Sequence, residues 1–408
     1  MTSNELFNVS EHIDAMLNLL IDFLSNLQFT TWSTSLILMF VVYYFRSVVK
    51  RPSLHCRPGP LRSFVEDNVS ILKEKMYPTP WLMGATIQTV VANMFREKSP
   101  MLKADREELT TSDGGLVSID WYHDDRQSDS LSSNRPIALL IPGLTGDSQT
   151  EYLRTLVVEA QKSGFRAVGM NNRGRGGNKL LTPKFYCGAC CADLTFVIDH
   201  IKEQNSEVPL VIVGVSLGGI STMRYLREQG SNSKVDAAVL ISGQFDCVAG
   251  FASMSKWSNT ILNYFLARTL VNILSEFSSV LKPLKHINYE HVLEARTIHQ
   301  FEDRFQIKMW GFETVNDYYT ECSAIGKLGL IKVPVIALTA ADDMFVPISS
   351  VPFEEIESSD HIALVVTSRG GHIGFMDGLW PRLPFFSERF CGQVFDALVK
   401  LENIRKLM

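Results

Sequence analysis

The chain has 408 residues and a formal net charge of −5, and 20% of its residues are charged. This length suits one catalytic domain of about 300 residues with an extension, and the composition excludes an intrinsically disordered chain. The weakly acidic balance comes without a long basic run, which argues against nucleic acid as a partner. The seven cysteines do not have the spacing of a disulfide framework, so we expect reduced thiols and no disulfides. The cluster of Cys187, Cys190 and Cys191 is not followed by a second Cys or His pair at the spacing of a zinc site, so we expect no metal site.

An apolar segment near the start of the chain predicts a membrane anchor. Residues 1–45 contain no Lys or Arg, and the run that ends at Phe45 is followed directly by Arg46. A helix over about 31–49 approaches the roughly 20 residues that a membrane span needs, and the flanks of a cleaved signal peptide are missing. We therefore predict a signal-anchor that crosses the membrane once. The alternative is a buried or surface-lying helix, because the run is short and opens with Ser and Thr residues.

This interpretation divides the chain into three parts. The membrane-anchor region covers 1–51, a linker and strap with six prolines cover 52–110, and the catalytic domain covers 111–400. Positive charge after the apolar run favours a cytosolic catalytic domain. We expect a protein of the endoplasmic reticulum or another endomembrane, with the membrane as a partner, and we infer no oligomeric state.

Apolar runs and amphipathic segments alternate through the catalytic domain, which predicts an α/β fold with a mostly parallel sheet covered on both faces. The predicted strands are 116–121, 137–141, 167–170, 210–213, 238–241, 335–339 and 362–367. A long stretch over about 245–328 breaks the alternation and predicts a helical cap. Its apolar character suits a lipid-like substrate, although most of its side chains will only pack the cap onto the sheet.

A Gly-x-Ser-x-Gly motif lies between the predicted strand at 210–213 and a helical stretch. Its central residue is Ser216, and its glycines are Gly214 and Gly218. This is the nucleophile elbow of the α/β-hydrolase fold, in which a sharp turn between strand and helix exposes a serine. Glycines are needed because side chains beside so tight a turn would collide with the backbone. The motif predicts Ser216 as the nucleophile of a serine hydrolase.

The serine needs a base and a carboxylate that orients the base. His372 lies among glycines directly after the predicted strand at 362–367, so a loop can carry its imidazole over the serine. The carboxylate is expected at a strand end between serine and histidine in chain order, where Asp342 and Asp343 are adjacent. Asp343 is preferred because a proline follows it by four residues, and Asp342 is the alternative.

Two backbone N–H groups are expected to bind the negative oxygen of a tetrahedral intermediate. Leu217, which follows the nucleophile, supplies the first. Leu144, in the glycine-containing loop after the predicted strand at 137–141, supplies the second, although a tight turn without chemistry would have the same sequence. No metal or organic cofactor is needed for this chemistry.

The assembled motifs resemble AB hydrolase family four, and most closely its subgroup of α/β-hydrolase domain-containing proteins one and three. The similarity spans roughly residues 75 to 395, and its motifs are Pro142–Gly146, Asn171–Gly174, Leu181–Pro183, Gly214–Gly219, Asp317–Tyr319, Gly370–Phe375 and Leu379–Arg382. It implies a membrane-bound serine hydrolase with the triad Ser216, Asp343 and His372. The implied substrates are phospholipids of the phosphatidylcholine type with medium-length or oxidised acyl chains.

Other functions stay open at this point. The same triad could serve a monoacylglycerol lipase or a general carboxylesterase. Acyl transfer is a minor alternative, because His372 and Asp377 have the His-x-x-x-x-Asp spacing that some related lipid hydrolases carry. A non-catalytic membrane protein that only binds lipid is the alternative of another class, and the complete triad argues against it.

Overall fold

The computed structural model describes residues 3–124 and 134–400. The chain forms two compact units, Met1–Lys50 and Arg51–Met408. The first unit contains the helix α1 (Ser3–Tyr43) and a π-helical turn at Tyr44–Val48.

The transmembrane signal-anchor predicted over 31–49 is not supported. Within residues 3–124 and 134–400, no helix is both long enough and apolar enough to cross a membrane. The apolar run lies at the end of α1, and polar residues precede and follow it. Hydroxyl side chains before it, such as Thr31 and Thr34, donate to carbonyls one turn earlier in the helix, and the π-helical turn that follows contains Arg46.

The second unit contains one large sheet. In the described residues its strands are β1 (Ser53–His55), β2 (Ala104–Thr110), β3 (Leu116–Tyr122), β4 (Ile137–Ile141), β5 (Arg166–Asn171), β6 (Leu210–Val215), β7 (Ala237–Ile241), β8 (Val335–Ala340) and β9 (Ile362–Thr367). Their order across the sheet is β1-β9-β8-β7-β6-β4-β5-β3-β2. Pairing is parallel from β9 through to β5 and antiparallel at β1, β2 and β3. The predicted α/β fold with a mostly parallel sheet is confirmed.

The segment at 52–110, predicted as linker and strap, contributes both edge strands of this sheet. β1 pairs antiparallel with β9, and β2 pairs antiparallel with β3. Neither strand shows the apolar pattern of a buried strand, because β1 has only three residues and β2 is rich in exposed charged side chains. Edge strands tolerate such composition because one side of the strand faces no neighbour in the sheet.

Helices cover both faces of the sheet. In chain order they are α2 (Pro60–Asn68), α3 (Ala85–Arg96), α4 (Glu151–Lys162), α5 (Ala192–Gln204), α6 (Leu217–Gln229), α7 (Cys247–Met254), α8 (Thr260–Ser275), α9 (Ser278–Leu281), α10 (Tyr289–Leu293), α11 (Ile298–Phe301), α12 (Ile307–Trp310), α13 (Val315–Cys322), α14 (Phe353–Ser358) and α15 (Phe386–Leu398). α7 to α13 form the helical stretch between β7 and β8, with a π-helical turn at Glu302–Gln306 between α11 and α12.

Successive side chains of the central strands enter two different cores. Leu139 packs in one core with residues of α5 and α6, whereas Leu140 packs in the other with residues of α4 and α15. Both leucines are fully buried. Burial on both faces explains why these strands are continuous apolar runs in the sequence, and it makes the sheet a rigid support for the loops at its carboxyl ends.

Candidate active site

Ser216 occupies a sharp turn between β6 and α6. Its backbone has φ 53° and ψ −115°, a conformation that residues other than glycine rarely adopt. The turn brings backbone segments close together. A Cβ atom on Gly218 would lie 2.3 Å from the carbonyl oxygen of Ile141, and one on Gly214 would lie 2.7 Å from that of Gly218. The two glycines of the motif are therefore required by space.

The structure brings Ser216, His372 and Asp343 together at the carboxyl ends of three strands. His372 Nε2 lies 2.8 Å from Ser216 Oγ, and His372 Nδ1 lies 2.9 Å from Asp343 Oδ2. Asp343 is 3% exposed and His372 is 7% exposed. Asp343 Oδ1 also accepts the N–H groups of Phe345 and Val346 at 2.8 and 3.2 Å. These bonds keep the carboxylate directed at the imidazole.

Asp342, the alternative carboxylate, is placed elsewhere. Its Oδ1 accepts the N–H groups of Gly370 and Gly371 at 2.9 and 3.0 Å, and burial raises the pKa of its carboxyl. It supports the backbone of the loop that carries His372 but does not contact the imidazole ring. The geometry therefore selects Asp343 from the two adjacent candidates.

Two tyrosines hold the loop that contains Leu144. The N–H of Gly143 donates to Tyr152 Oη at 2.8 Å, and the hydroxyl of Tyr186 donates to the carbonyl of Leu144. The loop lies against the nucleophile, since a Cβ atom on Gly143 would be 3.3 Å from that of Ser216.

The backbone N–H groups of Leu144 and Leu217 are available as hydrogen-bond donors. Among the described residues, neither group donates a hydrogen bond to another protein atom. Leu217 is the first residue of α6, where backbone N–H groups have no partner within the helix. Both N–H groups can therefore donate to an oxygen that becomes negative beside Ser216.

A buried ion pair supports the loop after His372. Arg96 and Glu388 are each 1% exposed, and Arg96 Nε lies 2.6 Å from Glu388 Oε1. Arg96 also donates to the carbonyls of Ile373 and Gly374. Burial favours the neutral form of Glu388, but the Arg96 guanidinium outweighs it and holds the pKa of this carboxyl below its usual range. The pair ties the histidine loop to α3 and α15.

α3 also supports the backbone of His372 itself. The N–H of His372 donates to Thr89 Oγ1 at 2.9 Å. Gly371 lies tightly against the same helix, because a Cβ atom on it would be 2.4 Å from the carbonyl oxygen of Ala85. α3 therefore positions the base through backbone contacts.

Ser216 opens into a cavity of about 350 Å³ between the sheet and the helices inserted after β7. Most of the lining is apolar: Val90, Leu144, Leu217, Ile220, Phe251, Leu262, Leu266, Phe345 and Ile373 contribute. This volume lies at the small end of the range for small-molecule sites, which is about 300–1,000 Å³.

Glu302 introduces a buried carboxyl into this lining. It is 3% exposed, accepts a hydrogen bond from the Tyr319 hydroxyl, and belongs to the π-helical turn between α11 and α12. Burial raises the pKa of Glu302 to about 8. The neutral form of the carboxyl therefore predominates at pH 7, because burial disfavours the charged form.

Several of these functional side chains were missed by sequence reasoning. Tyr152 has the spacing of an ordinary core residue of α4, and Tyr186 lies in an irregular loop. Arg96 and Glu388 are 292 residues apart, so no local pattern links them. Glu302 follows a short helical turn, where a carboxyl is normally solvated. Only a tertiary contact distinguishes each of these residues.

The His-x-x-x-x-Asp spacing of His372 and Asp377 does not place Asp377 in the catalytic site. Asp377 Oδ2 pairs with Arg389 at 2.6 Å, and Asp377 is not part of the cavity lining. Its partner on α15 gives it a structural role.

The sequence matches the family model described as serine aminopeptidase, S33, over residues 132–377. It is 35% identical over 372 residues to phospholipase ABHD3 of Homo sapiens, covering 90% of each chain. Protein abhd-3.2 of Caenorhabditis elegans is 31% identical, with 84% of this chain and 90% of that protein covered. Monoacylglycerol lipase ABHD2 of Homo sapiens is 27% identical, with 88% of each covered.

These matches include β4 to β9, the serine turn and the histidine loop. The family model alone spans more than half of the 408 residues. The chain therefore belongs to the α/β-hydrolase family of serine hydrolases, as its motifs predicted.

Proposed function

We propose that this protein cleaves acyl esters of glycerolipids, with phosphatidylcholine-type lipids that carry medium-length or oxidised chains as its main substrates. The observation that carries the proposal is the position of Ser216. Its hydroxyl is 2.8 Å from a base and opens into a cavity with mainly apolar walls. A serine in this setting can reach an ester carbonyl whose acyl chain lies in the cavity.

The chemistry follows from the distances. His372 Nε2 takes the proton as Ser216 Oγ attacks the ester carbonyl, and Asp343 stabilises the imidazolium that forms. The N–H groups of Leu144 and Leu217 bind the oxygen that becomes negative. When the intermediate collapses, the glycerolipid alcohol leaves with the proton from His372. Water then attacks the acyl-serine, with His372 again as base, and releases the fatty acid.

The cavity supports an acyl chain of limited length. Its volume of about 350 Å³ is at the small end for a ligand site, and Phe251 and Phe345 contribute bulky apolar surface. A neutral carboxyl at Glu302 adds a hydrogen-bonding group to the wall. An oxidised chain brings polar oxygen that such a group can bind.

A monoacylglycerol lipase is the second candidate. It is favoured by the similarity to monoacylglycerol lipase ABHD2 over 88% of the chain, although the identity to phospholipase ABHD3 is higher. Both functions use the same triad and cavity, and they differ in the alcohol that leaves. Only the substrate distinguishes them.

A comparison of two substrates tests the proposal. We expect kcat/KM for a medium-chain phosphatidylcholine to exceed that for a monoacylglycerol with the same acyl chain by about tenfold or more, a difference of about 1.4 kcal/mol in transition-state binding. The measurement is fatty-acid release, with the acyl chain matched between the substrates. Turnover of the monoacylglycerol alone would replace the leading function by the second candidate.

The adjacent aspartates provide a matched pair of variants. Asp343→Asn removes the carboxylate that orients His372, so we expect kcat to fall by about 10⁴-fold. Asp342→Asn changes the neighbouring carboxyl, which contacts only loop N–H groups, and should cost less than about tenfold. Steady-state hydrolysis of a soluble ester measures both. Equal losses in the two variants would refute the assignment of the triad acid.

Glu302 predicts a specific pH dependence. With a pKa of about 8, the carboxyl is neutral below that pH and charged above it. A negative charge in the cavity wall disfavours an apolar acyl chain, so we expect kcat/KM for the lipid to decline above about pH 8. Glu302→Gln keeps a neutral amide at this position and should remove the decline. Identical pH profiles for the two proteins would show that Glu302 does not face the bound chain.

A further inference from the structure

Exposed apolar side chains lie on α3, on α8 and on the 3₁₀ turn directly before α8. In the inserted helical stretch, Trp257 is 89% exposed, Ile261 72% and Phe265 63%. On α3, Val90 is 46% exposed and Met94 64%. Large exposed apolar surfaces on a soluble domain usually mark a site where another apolar surface binds.

On both α8 and α3, the exposed apolar residues lie beside residues that line the cavity. Ile261 and Phe265 are four residues apart in α8, so they lie on one face of this helix. Trp257 lies in the 3₁₀ turn Trp257–Asn259 directly before α8. Leu262 and Leu266, which line the cavity, lie one position further along the same helix. On α3, Val90 is both half-exposed and part of the cavity lining. The apolar surface therefore leads from the outside into the cavity.

Charge is distributed in a way that suits a lipid surface. Residues 85–96 and 247–275 contain no Asp or Glu, and their basic residues are Arg96, Lys256 and Arg268. Arg96 is buried, whereas Lys256 is exposed directly beside Trp257. A tryptophan next to a lysine is typical of the boundary between lipid headgroups and acyl chains, where the ring is partly buried and the ammonium contacts phosphate.

We propose that Trp257, Ile261 and Phe265, together with the exposed face of α3, form a docking surface that inserts into a phospholipid surface. The surface is distinct from the triad, and it meets the cavity at Val90, which also lines the cavity. The proposal rests on the proposed function. A lipid that leaves the bilayer there passes from one apolar environment to another, so its acyl chain reaches Ser216 without crossing water.

The first test compares substrate presentation. Trp257→Ser with Phe265→Ser is expected to lower kcat/KM for phosphatidylcholine in vesicles by about tenfold or more, because two large aromatic anchors are lost. Hydrolysis of a water-soluble short-chain ester should be unchanged, which shows that the fold and the triad are intact. The control is Leu330→Ser. Leu330 is 54% exposed and precedes the amino end of β8, whereas Ser216 follows the carboxyl end of β6, which runs parallel to β8.

Equal turnover of vesicle lipid by the double variant and the control would overturn the proposal. A wild-type protein that cleaves the soluble ester but no phosphatidylcholine would instead overturn the proposed function. The docking proposal can still be tested in that case, because binding to vesicles is measured without turnover.

That binding is read from tryptophan fluorescence with phosphatidylcholine vesicles that carry a quencher on the acyl chain. The full-length protein and its Trp257→Phe variant are compared, so that the difference reports Trp257 alone. We expect quenching to be greater in the wild type, and to increase when phosphatidylserine is added, an increase that Lys256→Glu should reduce. Identical quenching in wild type and Trp257→Phe would exclude insertion of this residue.

Discussion

The strained backbone at Ser216 is the constraint on which the site depends. A residue with φ 53° at the junction of β6 and α6 is held there only because the surrounding structure allows no alternative. The same turn exposes the hydroxyl, frees the N–H of Leu217 at the start of α6, and brings Ile141 so close that only glycine fits at 218. Nucleophile, oxyanion donor and motif glycines are therefore consequences of one backbone geometry.

The base is positioned by contacts that lie far from the serine in sequence. His372 is oriented by Asp343 through its ring and by Thr89 through its backbone, while the buried pair of Arg96 and Glu388 holds the residues that follow it. α3 thus has two roles: its inner side supports the catalytic loop, and its outer side contributes exposed apolar residues at the cavity. This one helix therefore contacts the catalytic loop and also lines the cavity.

Much of the fold and the reacting residues could be predicted from local sequence, for physical reasons. The central strands are buried on both faces and the serine turn requires glycines at fixed positions, so both leave a pattern in a few adjacent residues. β1, β2, Tyr152, Tyr186 and Glu302 have no such pattern, because their roles arise from partners distant in the chain. The membrane span predicted over 31–49 has no counterpart among the described helices, none of which is both long enough and apolar enough to cross a membrane.

Covalent labelling of Ser216 tests the account most directly. A fluorophosphonate probe reacts with a serine whose hydroxyl is activated by a neighbouring base. Wild-type protein is expected to be labelled and to release fatty acid from phosphatidylcholine, and Ser216→Ala is expected to lose both properties together while retaining its thermal unfolding midpoint. Unchanged labelling or unchanged lipid hydrolysis in a folded Ser216→Ala protein would contradict the assignment of the nucleophile.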